Sequence, residues 1–138
     1  MKRNLCFFIP AFLITLLFTT SCNKDDNNNS NPPASTPQGT WNGTGQYGTG
    51  PGNPTYVFSL NFKAGGTVDI IGNNNTGVDN ATGTWALVGD SVKATYKYTS
   101  SSAIYRLSGK FSTSSNVMIG TIGLDPVTTG VGIFTVSR

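Results

Sequence analysis

Histidine and glutamate do not occur in this chain, and no cysteine occurs beyond residue 22. Without imidazole there is no base of the usual kind to activate a nucleophile, and without histidine or cysteine in the body of the chain there is no His/Cys zinc site. All six acidic residues are aspartates, of which only Asp69, Asp79, Asp90 and Asp125 lie beyond residue 38. Three of these fall in expected loops and Asp69 on a short strand, so no acid/base pair is suggested. The expectation is a protein that is not an enzyme and carries no metal and no cofactor. From residue 39 onward there is also no helical periodicity.

What is present at the N-terminus has three parts. Lys2 and Arg3 form a basic start, Leu5 to Phe18 is an almost wholly apolar run broken by Pro10, and Thr19-Thr20-Ser21 is a small-residue exit. That is the layout of a secretory signal peptide, and the run is shorter than the roughly 20 residues a spanning helix needs. The cysteine that follows at once, Cys22, makes the region resemble a bacterial lipoprotein signal, which implies that Cys22 is the acylated first residue of the mature chain. Cys22-Asn23-Lys24-Asp25-Asp26 further resembles the surface-export signal of Bacteroidetes lipoproteins. The resemblance implies a protein of the outer membrane, surface-exposed and held to the membrane by its lipid anchor. Two or more acyl chains hold a protein durably where one gives only marginal binding.

Residues 1–21 are thus expected to be the signal peptide and 22–38 a lipidated tether. Removing 1–21 leaves seven basic residues against six aspartates, a net side-chain charge of +1. The basic residues are scattered, so no nucleic-acid partner is expected. With Cys6 removed and Cys22 acylated no disulfide can form. Asn23 to Gln38 is mostly Asn, Asp, Ser, Pro and Thr with Ala34 as its only apolar residue, and cannot offset its ordering entropy by burial. As flexible coil it would average roughly 20–24 Å end to end.

Residues 39–138 read as one small domain of eight strands: Gly39–Tyr47, Thr55–Lys63, Thr67–Ile71, Thr82–Val88, Ser91–Tyr98, Ala103–Phe111, Asn116–Gly123 and Val131–Ser137. Tyr56, Phe58, Leu60 and Phe62 alternate with Val57, Ser59, Asn61 and Lys63, and Lys93, Thr95 and Lys97 give another strand a wet face. One dry face per strand is the pattern of an antiparallel sheet around a single core. Short connections imply an up-and-down meander, which closes best into an eight-stranded antiparallel barrel, with an open two-sheet sandwich as the alternative. The expected inward set is Trp41, Phe58, Leu60, Phe62, Trp85, Tyr96, Tyr98, Tyr105, Phe111 and Ile133.

In a meander, alternate connections share an end. Gly48–Pro54, Gly72–Ala81, Thr99–Ser102 and Leu124–Gly130 are the roomy set; Ala64–Gly66, Gly89-Asp90 and Ser112–Ser115 are the tight set. The tether joins at the tight end, so the roomy mouth is expected to point away from the membrane. Gly39-Thr40-Trp41 resembles the first-strand signature of lipocalins, in which the tryptophan plugs the closed end beneath an arginine of the last strand. The resemblance implies a lipocalin-like barrel with Trp41 and Arg138 as its closed-end plug. The Thr-Asp-Tyr signature of that family is absent, and Gly83-Thr84-Trp85 repeats the first motif.

Two weaker signals lie in loops. Asn73 to Asn80 resembles a calcium loop but lacks its acidic residues and closing glutamate, so a plain loop is the expectation. Asp90-Ser91-Val92 resembles a Bacteroidetes O-glycosylation sequon, and a tight turn accounts for Asp90 equally well. If the interior holds a cavity, Tyr96, Tyr98 and Tyr105 are its expected lining, since tyrosine offers apolar area with a polar tip. A small apolar or glycan-like ligand is then the partner. If the core is solid, the outward loops would dock on another envelope protein.

Overall fold

In a computed structural model, residues 36–74 and 77–138 are described; the expected signal peptide, Cys22 and the tether up to residue 35 lie outside them. The described chain is all β: β1 (Gly39–Tyr47), β2 (Thr55–Phe62), β3 (Thr67–Asn74), β4 (Gly77–Val88), β5 (Ser91–Tyr98), β6 (Ile104–Ser112), β7 (Val117–Leu124) and β8 (Gly130–Ser137). Each strand pairs antiparallel with the next, and β1 also pairs with β8, with Gly45 opposite Phe134. The result is a closed eight-stranded up-and-down barrel without a sheet edge. The sandwich alternative falls, because the β1–β8 ladder completes the circle.

The strands form where polar and apolar residues alternate. Val92, Ala94, Tyr96 and Tyr98 of β5 are buried while Lys93 and Lys97 are exposed. The interior is packed by Trp41, Phe58, Leu60, Phe62, Leu107, Met118 and Phe134 among others, each essentially without solvent contact. Full burial of a large apolar side chain is worth about 1.5–3 kcal/mol, and this core must hold the barrel without a covalent cross-link. Trp85, Tyr105 and Phe111 pack against it only partly buried.

Ile133 is a correction. It pairs with Gln46 on the outer wall, and Phe134 and Val136 take the inward places. The physical reason lies across the ladder. Gly109 and Gly120 are direct partners on β6 and β7, and a Cβ on either would come within 2.8 or 2.5 Å of the Phe134 ring. The two glycines leave a slot that the Phe134 ring fills, which favours the inward placing of Phe134 over Ile133.

The connection expected over Gly72–Ala81 is a second correction. These residues continue β3 and β4 as a hairpin arm, with Asn73 opposite Val78 and Asn74 opposite Gly77; residues 75 and 76 between them lie outside the described residues. The β4–β5 ladder ends at Ala81–Tyr98, so the arm projects beyond its neighbour. At the other pole, Gly89 has φ 63° at the first central position of the Gly89-Asp90 turn, as a type II′ hairpin requires.

The two poles differ in chemistry. β1 starts and β8 ends at one pole, with the connections 63–66, 89–90 and 113–116. The other pole carries 48–54, the β3–β4 arm, 99–103 and 125–129. Four of the strands end in tyrosine or begin within a residue of one at this second pole.

A tyrosine well at the barrel mouth

All five tyrosines of the chain meet at that pole. Tyr47 closes β1, Tyr56 is the second residue of β2, Tyr96 and Tyr98 lie at the end of β5, and Tyr105 is the second residue of β6. Together with Asn73 they line a pocket of about 60 Å³ whose apolar remainder is Ile122 and Val131. Val131 reaches it through a β-bulge, where Ile122 pairs with Gly132 but Gly123 pairs with Gly130. The extra residue re-aims a side chain at the barrel rim.

The rings are held by each other and by glycine. Tyr96 and Tyr105 stack with centroids 5.6 Å apart, Tyr98 meets Tyr105 edge-on at 5.3 Å, and Tyr47 lies 4.8 Å from Tyr56. Gly45 sits opposite Tyr56, whose ring occupies the place of a Cβ there, and the Tyr98 hydroxyl does the same at Gly72. Tyr96 and Tyr98, each 2% exposed, form the floor, while Tyr47, Tyr56 and Tyr105 are half-buried and form the wall.

The Tyr96 and Tyr98 rings meet edge-on with centroids 5.7 Å apart. Burial pushes the Tyr56 phenol up to about 12, with the Tyr47 and Tyr105 phenols adding to the shift. Burial likewise raises Tyr96 and Tyr98 well above the ordinary range. One polar atom stands out: Asn73 Oδ1 is buried and has no hydrogen-bond partner. An unmet buried acceptor costs about 1–3 kcal/mol.

Of the residues expected to line a cavity, Tyr96, Tyr98 and Tyr105 are brought together here. Tyr47, Tyr56 and Asn73 complete the well, and the sequence alone does not single them out. Tyr56 carries the alternation of β2 and can be read as inward; Asn73 cannot, because the arm reads as a loop.

At the opposite pole the Arg138 guanidinium lies over the Trp41 ring, 4.5 Å from its centroid. Arg138 also donates to the Gln38 carbonyl and, at 2.6 Å, to that of Thr36, while Trp41 Nε1 donates to Pro37 O at 2.8 Å. Residues 36–38 are therefore bonded to the barrel floor. Trp85, from the repeated Gly-Thr-Trp, donates through Nε1 to the Lys63 carbonyl at 3.0 Å and packs on Phe62.

The domain aspartates are all engaged in structure. Asp69 pairs with Lys63 at 2.5 Å, Asp90 with Lys110 at 3.2 Å, and Asp125 with Arg106. Asp79, from the segment that resembles a calcium loop, accepts from Thr99 Oγ1 at 2.6 Å and from the Ser100 hydroxyl and amide at 2.5 and 3.1 Å. Among the described residues no group of three His, Cys, Asp or Glu side chains could hold a metal. Ser91, the acceptor of the sequon-like triplet, donates to Asp90 at 3.0 Å beside the turn. Comparison with protein-family models, with curated proteins and with solved structures finds no match for this chain.

Proposed function

We propose that the protein is a non-catalytic recognition barrel, lipid-anchored through Cys22 to the outer-membrane surface, that engages its target at the tyrosine-lined mouth and not in a deep interior calyx. The observation that carries the reading is the well itself: every tyrosine converges on a pocket of about 60 Å³. Drug-sized ligands need pockets of about 300–1,000 Å³, so only part of a ligand can enter. Tyrosine suits such a place because it presents rigid area and a polar tip at little entropic cost. The absence of histidine and glutamate from the chain, and the pairing of the four domain aspartates, support a role without catalysis. The anchor rests on the signal-like residues 1–26.

A second reading has its own support. Ile104, Leu124 and Val127 are exposed on one side of the mouth, and Ile104 O accepts from Asp125 N, which keeps them together. An apolar rim beside a filled core suits docking on another envelope protein.

Mass spectrometry of the protein extracted from membranes in detergent tests the proposal. The expected masses carry diacyl or triacyl modification at Cys22 and no bulky apolar cargo. A retained lipid or pigment would mean that the interior opens far beyond the tyrosine well, and an unmodified Cys22 would remove the anchor. Copurification from intact envelopes tests the second reading.

A further inference from the structure

The barrel carries a second hollow at its tight pole, independent of the mouth. On the flank of β6 and β7, half-buried Phe111 and Val117 and exposed Ile119 form the apolar side of an open groove of about 470 Å³, which the Asp90–Lys110 ion pair also lines. The chain's own N-terminal segment leaves the described residues beside this groove. Arg138 holds the Thr36 carbonyl, and the Arg138 amide donates to Asn116 O, whose neighbours Ser115 and Val117 line the groove. Pro37 is buried over the barrel floor with its carbonyl bonded to Trp41 Nε1, and the Trp41 ring meets Phe111 edge-on with centroids 6.3 Å apart.

We propose that Pro32-Pro33-Ala34-Ser35 docks in this groove as an extended strap, with its proline rings on Phe111, Val117 and Ile119. The segment is the part of the tether equipped to do so: it holds both prolines and the one alanine found between Cys22 and Thr36. Proline at 33 and at 37 keeps Pro32 and Thr36 extended. Such a run favours the polyproline II form, which has little freedom to lose on docking and suits aromatic-lined grooves. At about 3.1 Å per residue, four residues span roughly 12 Å. Val117 and Ile119, two positions apart on β7, are separated by only about 7 Å. The strap extends the seal that residues 36–38 make over the floor. It shortens the free tether to residues 23–31, from roughly 20–24 Å to roughly 15–18 Å, and moves its point of departure to the β6–β7 flank. If Cys22 is acylated, that flank is the one held nearest the lipid; the docking itself does not depend on the anchor.

NMR of the full chain in detergent tests the strap. The Ala34 methyl is expected to show a nuclear Overhauser contact to the Phe111 ring. The Ala34 and Ser35 amides are expected at order parameters of about 0.8, near rigid backbone, with Asn27 to Asn29 below about 0.6. Pro32→Gly combined with Pro33→Gly changes nothing in the barrel sequence. It should bring Ala34 and Ser35 below about 0.6, remove the contact and shift the Val117 and Ile119 methyl signals while Phe134 stays unmoved. Ile119→Lys, on the exposed wall, should release Ala34 and Ser35 in the same way. Ala34 and Ser35 as mobile as Asn27 to Asn29 in the unsubstituted chain would overturn the proposal, as would an Ala34 that stays rigid in either variant. So would an Ile119 signal that moves with protein concentration, which would put a second copy in the groove. Detergent contacts to Phe111 and Ile119 in place of those from Ala34 would put lipid there and overturn it as well.

Discussion

Phe134 and Arg138 stand four positions apart and hold the barrel by different physics. Phe134 fills the slot above Gly109 and Gly120, so truncating it opens a cavity between three strands. Phe134→Ala should cost about 3–5 kcal/mol in urea unfolding. Arg138 lies on the outer surface of Trp41 with its hydrogen bonds directed at backbone carbonyls. Arg138→Ala should cost about 1 kcal/mol, since the cation–π contact is exposed and solvent replaces the lost bonds. Arg138→Lys should restore less than half of that, because one ammonium cannot serve two carbonyls and a ring as a planar fork does. Equal losses for Phe134→Ala and Arg138→Ala would refute the contrast. At this scale the sequence is only partly legible. Phe58 announces itself by alternation and Trp41 by its Gly-Thr-Trp motif, whereas the β8 run Val131-Gly132-Ile133-Phe134-Thr135-Val136 has apolar residues on both faces. Nothing local says which parity is inward; the space for the Phe134 ring is left by a glycine pair on two other strands.

The arm formed by β3 and β4 raises the same question for an element. Gly72 to Asn80 carries no period-2 hydrophobicity, and the physical reason is that the arm projects past the core and its described outer residues, Asn73 and Gly77 to Asn80, bury no apolar side chain. Its strands are held by the backbone ladder and by Asp79, which ties the arm to residues 99 and 100. Strands that lack a buried face are invisible to pattern reading, so the third connection reads as a loop from sequence and Asn73 drops out of the site. The Asp79 carboxyl is lowered from 3.8 to about 2, chiefly by the Ser100 and Thr99 hydroxyls. A carboxyl whose folded pKa lies below its unfolded value contributes stability that is complete above the unfolded pKa and is lost as pH falls through the folded one. The tie should therefore be intact above about pH 5, weaken below about pH 4, and be gone only below about pH 2. In NMR titration the Ser100 amide should shift with a midpoint near pH 2. Asp79→Asn should abolish that titration and loosen the Thr99–Ser100 segment at neutral pH, read as reduced amide protection, with the tyrosine signals little changed. A midpoint near pH 4 would mean that the hydroxyl bonds do not form in solution.

For the whole molecule, an even number of meandering strands is what makes orientation a question with an answer. Eight antiparallel strands return the chain to the pole it started from, and Arg138 bonds to residues 36 and 38 there. Strand number, order and closure are legible because they follow from alternation and turn residues spread over the whole domain, and errors at single positions do not change them. The mouth stands a barrel's length from the tight pole, at which residues 36–38 join β1; eight to nine residues at about 3.3 Å each, tilted, give roughly 20–25 Å. If Cys22 is acylated, a tether of similar reach keeps the tight pole near the lipid and leaves the mouth free. Single cysteines at Val127→Cys, beside the mouth, and Ser114→Cys, in the 113–116 turn, convert this into a rate measurement. With a bulky membrane-impermeant maleimide on intact cells, Val127→Cys should label several-fold faster than Ser114→Cys, and the two rates should converge once the protein is extracted in detergent. If Cys22 is acylated as proposed, the unsubstituted chain should label in neither setting, since no cysteine follows residue 22. Faster labelling at Ser114→Cys on cells would invert the barrel, and labelling of the unsubstituted chain would mean that Cys22 is a free thiol.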